Sequence, residues 1–209
     1  MLSTYSKHYE KFGCFPNSSS IKLSTNEFLK LCSPTSQTQV GIAGNDSSPG
    51  DIMCWERPEG MDYPRPVSSC DAASASDLAG EVVAALSAAS LVFKDESDYS
   101  EKLVQSAEKL FELASKKDPS QQATYTSLKD SCGQEARGFY NSSGYLDELV
   151  WGGTWLSFAT GNTSYLKYAT DLFNATQSNE TSLDKGIFYW NNKLIANAVI
   201  LFNNSSFTS

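Results

Sequence analysis

Two pairs of close carboxylates, Glu56/Glu59 and Asp147/Glu148, are the residues of this chain best placed to attempt acid–base work. Such a pair acts as general acid and general base only when both groups face one reacting centre and their environments separate their proton affinities. Neighbours on a helix point about 100° apart, so Asp147 and Glu148 diverge and read more naturally as part of a helix start that Ser143 caps and whose positive end the acids offset. Glu56 and Glu59 stand three apart in CWERPEGMDYPRP, a proline-bounded loop that also supplies Arg57 and Arg65 as ion-pair partners. His8 is the single histidine, which leaves Ser-His-Asp and Cys-His relays without a setting. Five cysteines (Cys14, Cys32, Cys54, Cys70 and Cys132) form an odd set with no C-x-x-C spacing. That argues against a zinc site and leaves any disulfide pairing open.

Aromatic residues carry a second kind of chemistry. Trp55 lies in GDIMCWERPE, Phe139 and Tyr140 in GFYNSSG, and Phe188, Tyr189 and Trp190 in GIFYW. Flat rings beside carboxylates and amides suit a ligand that is apolar on its faces and hydroxylated at its edges, such as a sugar. The same rings would also serve as plugs for the ends of a helical core.

The elements that must position these residues alternate in character. SDLAGEVVAALSAASLVF, residues 76–93, is apolar and small-sided around its circumference, as a helix buried on nearly every side requires. Leu78, Val82, Ala85, Ala89 and Phe93 form its main stripe, and Ser76 is a suitable N-cap with Asp77 behind it. YSEKLVQSAEKLFELA, residues 99–114, carries Tyr99, Leu103, Ala107, Leu110, Phe111 and Ala114 on one side and its charges on the other. The alternation repeats with GYLDELVWGGTWLSFA (144–159, apolar around most of its circumference, with Gly152 and Gly153 letting a neighbour approach closely), TSYLKYATDLFNA (163–175, one stripe) and WNNKLIANAVILF (190–202, apolar again). No convincing alternating strand interrupts the series, so an all-α fold of two concentric helical layers is expected. Short connections make consecutive helices antiparallel. The inner helices then point one way, and the three aromatic approaches share one rim.

Composition narrows the partners. A net charge of −8 and a sequence pI near 4.7 argue against nucleic acid. Hydrophobic residues make up 40%, enough for a core. No apolar run approaches the ~20 residues of a membrane span, and the opening MLSTYSKHYEKFG lacks the apolar region of a signal peptide. Asn-x-Ser/Thr sequons at Asn17, Asn45, Asn141, Asn162, Asn174, Asn179, Asn203 and Asn204 favour passage through the secretory pathway, with the natural N-terminus upstream.

CWERPEGMDYPRP, SDLAGEVVAALSAASLVFKD, FYNSSGYLDELVWGGTWLSFATGNTSYL and IFYWNNKL together resemble consecutive blocks of the plant endo-1,4-β-glucanases of glycoside hydrolase family nine. GMDYPRPV and FYNSSGY are most similar to the subgroup that includes membrane-anchored endoglucanases of cellulose synthesis. The likeness runs from Phe28 to Phe202, which divides the chain into a poorly matching 1–27, a partial catalytic domain at 28–202 and a short tail at 203–209.

The resemblance implies part of an (α/α)6 barrel, incomplete, and inverting hydrolysis of β-1,4-glucan by two carboxyls ~6.5–9.5 Å apart. It implies a monomer acting on cellulose-like polysaccharide, in an extracellular, cell-wall or membrane-anchored setting. The family's Asp-Ala-Gly-Asp type base motif and its later glutamate motif find no counterpart here, so both catalytic carboxyls are expected outside this chain. Trp55, Tyr140 and Trp190 match family positions expected to hold sugar. Ile52 stands where histidine is usual and Asn191 where aspartate is usual. Ser143, the Gly144 carbonyl, Asp147 and Glu148 match the spacing of a calcium site in bacterial relatives, where hard oxygen ligands gather. No other cofactor is implied. Alternatives to an enzyme are a non-catalytic glucan-binding piece and a non-functional truncated piece whose uncovered inner helices expose apolar surface.

Overall fold

The computed structural model describes residues 39–43, 67–71, 75–115, 122–124, 142–179 and 185–205. Strands β1 (Gln39–Ala43) and β2 (Val67–Asp71) pair antiparallel, with Gln39 opposite Asp71 and Ala43 opposite Val67. This ribbon is an addition to the expected all-helical series. QVGIA and VSSCD are five residues each and largely small or polar, so the partner strand rather than a local apolar period defines them.

Five helices follow: α1 (Ser76–Val92), α2 (Ser97–Ala114), α3 (Leu146–Thr160), α4 (Thr163–Asn179) and α5 (Leu194–Ser205). α1 packs most extensively on α3, α2 lies on α1, α4 lies on α3, and α5 contacts α3 and α4. The apolar helices are thus the inner ones and the striped helices the outer ones. Leu86, Leu103, Leu149 and Leu156 are sealed between the layers. Each such side chain contributes roughly 1.5–3 kcal/mol relative to exposure.

The α1–α3 seam is set by glycine. A Cβ on Gly80 would run into the carbonyl of Glu148, and one on Gly152 would lie 2.9 Å from the Gly80 carbonyl and 3.3 Å from Val83. Later residues of α3 meet later residues of α1, so the two helices run parallel and begin at the same end. The small-residue face of α1 (Ala79, Gly80, Val83, Ser87) is therefore the deepest one. The expected stripe of Leu78, Val82, Ala89 and Phe93 packs at its margin. On α2 the buried set is Leu103, Ser106, Ala107, Leu110, Phe111 and Ala114, as its stripe predicts but with Ser106 in place of Tyr99. Ser106 fits because its hydroxyl donates to the Lys102 carbonyl at 2.8 Å.

Three local expectations need correction. Ser76 lies inside α1 and does not cap it; its N–H donates to the Ala123 carbonyl at 2.9 Å, so a neighbouring segment satisfies the helix end. Ser143 does not cap α3 either, because the helix starts after Tyr145 and the serine faces Asn191 instead. α5 is buried on one side only: Leu194 and Asn197 are covered, whereas Val199 and Phe202 are exposed. Among the described helices it packs chiefly on α3 and α4.

Candidate functional site

The approach to α5 is a tight reversal. Tyr189 and Asn192 exchange backbone hydrogen bonds of 3.2 and 3.0 Å, and Asn192 Oδ1 accepts the Leu194 N–H at 2.9 Å. That side-chain bond satisfies the first N–H of the helix, which starts at Leu194, four residues later than the apolar run suggests. Trp190 sits at the tip of the reversal, 51% exposed, with the Tyr189 ring edge-on at 6.4 Å. Ile187 and Phe188, just before it, are exposed as well.

Behind this aromatic tip the first turns of the inner helices are tied together by polar groups. Asp147 Oδ2 accepts the Lys193 N–H at 2.8 Å, and Asn197 Nδ2 donates to the Asp147 carbonyl at 3.1 Å. Asn191 joins the approach segments: its Oδ1 accepts the Ser143 N–H at 3.0 Å, and its Nδ2 donates to Ser143 Oγ at 2.9 Å. The Lys193 ammonium pairs with Glu81 of α1, lies 3.6 Å from Glu148 Oε1 of α3, and donates to the Trp190 carbonyl. α1, α3 and α5 therefore meet at one end, with Trp190 above the junction.

Burial decides the charge states here. Glu148 is 3% exposed, and desolvation, followed by the neighbouring Asp147, holds its carboxyl well above the usual carboxylate range. Its Oε2 is buried with no hydrogen-bond partner among the described residues, which leaves a charge there uncompensated. Lys193 is opposed by its own burial, but Glu81 and then Glu148 outweigh that and raise its pKa. Lys193 and Glu81 therefore form the principal ion pair.

Of the three expected sugar-contacting residues, Trp190 is on this rim, while Trp55 and Tyr140 lie outside the described residues. Ser143, Asp147 and Glu148 are brought to the same junction, where Ser143 Oγ meets Asn191 and the Asp147 and Glu148 carboxyls meet Lys193. The cation among the carboxylates is an ammonium. Among the described residues no group of three or more His, Cys, Asp or Glu side chains is arranged to hold a metal ion.

The sequence reading missed Lys193, Glu81 and Asn197. A lysine placed immediately before an apolar helix, in a chain whose other inner helix opens on Asp-Glu, was the available signal. Asn191, read only as a departure, acts as a two-bond strut between the approaches to α3 and α5.

Comparison with known proteins fixes the family. The model of glycosyl hydrolase family 9 matches residues 1–209. The chain belongs to that family. The family 9 match includes residues 1–27, where the motif comparison found no likeness. Endoglucanase 10 of Oryza sativa subsp. japonica is 42% identical over 193 residues, covering 87% of this chain and 30% of its own length. The chain thus spans about a third of the length of the curated relatives it matches.

The endoglucanase of the termite Nasutitermes takasagoensis superposes with a TM-score of 0.69 at 31% identity, over 90% of this chain and 41% of that one. Endoglucanase CelQ of Clostridium thermocellum, solved with cellotetraose, gives a TM-score of 0.60 at 25% identity, over 88% of this chain and 28% of that one. The two-layered helical fold described above is accordingly part of a family 9 (α/α)6 barrel. Among the described residues no helix is long and apolar enough to cross a membrane.

Proposed function

We propose that this chain forms part of the catalytic domain of a secreted or membrane-anchored endo-1,4-β-glucanase, and that its share of the work is to hold the glucan. The observation that carries this reading is the exposed Trp190 above the junction where α1, α3 and α5 begin. A flat, exposed indole on a fixed reversal suits the face of a glucose ring. The relative solved with cellotetraose makes a short β-1,4-glucan the natural probe. Trp55 and Tyr140 extend the same platform in this proposal.

Inverting hydrolysis needs one carboxylate to activate water and a second carboxyl to protonate the leaving oxygen. Asp147 and Glu148 take neither part in this reading, because the first is held by the Lys193 backbone and the second is buried against α1. At the Ser143–Glu148 segment the lysine ammonium takes the place that calcium would fill. Adding calcium is then expected to leave the thermal midpoint of the chain unchanged, and a rise with calcium concentration would restore the metal site.

Calorimetric titration with cellotetraose tests the platform. Trp190→Ala is expected to weaken binding about fivefold to tenfold, the scale of one lost aromatic contact. Phe158→Ala, a change to an exposed ring near the opposite end of α3, is expected to leave it unchanged. Equal affinities for Trp190→Ala and the unaltered chain would remove the reading.

A further inference from the structure

Two of the Asn-x-Ser/Thr sequons, Asn162-Thr163-Ser164 and Asn174-Ala175-Thr176, have acceptor side chains among the described residues, and the fold presents them in opposite ways. Gly161, in the left-handed region at φ +68°, ends α3, and residues 161 to 164 are all exposed. Asn162 Oδ1 accepts both the Ser164 N–H at 3.0 Å and the Ser164 hydroxyl at 2.6 Å. The hydroxyl that a sequon requires is thus already in contact with the asparagine amide. Asn162 Nδ2 makes no hydrogen bond among the described residues.

Asn174, by contrast, lies within α4. Residues two apart on a helix do not face each other. Thr176 is 8% exposed, and its hydroxyl donates to the Leu172 carbonyl at 2.9 Å, so it is turned away from Asn174 and inward.

Space also differs. A surface groove of about 660 Å³ between α2 and α4 begins at Ser164 and Tyr165 and is edged by Gln105, Glu108 and Glu112. A sugar fixed at Asn162 has room there, with amide and carboxylate groups for its hydroxyls.

We propose that Asn162 carries an N-linked glycan and that Asn174 does not. The inference rests on the secretory-pathway part of the proposed function. Nδ2 of Asn162 bonds to the anomeric carbon of an N-acetylhexosamine that begins a lipid diphosphate-linked oligosaccharide. The carbon–oxygen bond to the diphosphate breaks, the lipid diphosphate leaves with the electron pair, and Nδ2 gives up one proton.

The test is to send the full chain through the secretory pathway of a eukaryotic host and remove glycans enzymatically in heavy-oxygen water. Peptide mass spectrometry then reads each formerly occupied asparagine as a labelled aspartate. Asn162 is expected to be labelled in most molecules and Asn174 in few, with Ser164→Ala abolishing and Ser164→Thr preserving the Asn162 label. Label at other sequons with Asn162 bare would overturn the assignment alone, as would equal label at Asn162 and Asn174. A chain bare at every sequon would overturn the secretory reading and the assignment together.

Discussion

Along the inner seam, backbone meets backbone: Gly80 lies against the Glu148 carbonyl and Gly152 against Gly80 itself. On the outer side, α2 and α4 meet through rings, with Phe111 edge-on to Tyr165 at 5.6 Å and to Tyr168 at 5.1 Å. A ring can shift by a few tenths of an ångström at little cost, whereas a helix carbonyl cannot move without disturbing its own hydrogen bond. The inner contact fixes where the helix starts stand, and with them the rim. The outer contact closes the core with more tolerance.

The largest test of this contrast uses one methyl group in two places. Gly80→Ala directs its Cβ at main chain and is expected to cost roughly 3 kcal/mol, the upper end for overpacking. Gly153→Ala places its Cβ 3.2 Å from the tip of the Phe111 ring, which can yield, and is expected to cost about 1 kcal/mol. Urea unfolding midpoints measure both. Equal losses would show the inner seam to be as accommodating as the outer face.

That difference also explains what could be read from sequence. The amphipathic helices were legible because charge and apolar residues separate on them at helical spacing, and α2 buries nearly the stripe its sequence displays. The inner helices were legible as buried, and Gly152 and Gly153 marked the close approach on α3, but the deepest face of α1 was not legible. There hydrophobicity points to Leu78 and Val82, while the fold uses Gly80 because close approach depends on what is missing from a side chain. The same limit hid Lys193. Its role comes from Glu81, more than a hundred positions earlier in the chain, and no local spacing reports a partner at that distance. Asn192, in contrast, bonds the first helical N–H only two residues away, yet the apolar residues before it drew the expected boundary too early.

The ionic junction offers the next effect. Lys193→Met keeps the length of the stem and removes the charge. Breaking a buried pair costs about 3–5 kcal/mol, but Glu81 is 40% exposed and Glu148 can hold a proton, so about 2 kcal/mol is expected at neutral pH. Unfolding of the variant at pH 7 checks this. A loss no greater than that of a surface lysine would mean that the junction does not hold the inner helices together.

A smaller effect distinguishes burial from pairing at the same place. The Glu148 carboxyl is raised by burial in the fold and titrates in the ordinary range when unfolded. Between those two values the folded chain keeps a proton that the unfolded chain has lost. Its contribution is therefore most favourable below the unfolded value, declines as pH rises through that window and levels off above the folded value. Glu148→Gln, neutral and of the same shape, is expected to flatten this decline in a series of unfolding curves across mildly acidic pH. A slope unchanged by the substitution would place the titration elsewhere.

The smallest expected effect lies on the outer layer, where Lys167 and Asp171 form an i, i+4 pair at 2.7 Å with side chains 76% and 64% exposed. The bond is shorter than the Lys193–Glu148 approach, so distance alone would rank it as the stronger of the two. Solvent reverses that ranking: water and salt screen an exposed pair, and both partners regain hydration when it breaks. Lys167→Ala is expected to change stability by no more than ~0.5 kcal/mol, with the difference fading as salt is added. The lysine also precedes its acid, the less favourable order along a helix. If Lys167→Ala cost as much as Lys193→Met at the same ionic strength, geometry would govern these pairs and the contrast between the inner and outer layers would fail.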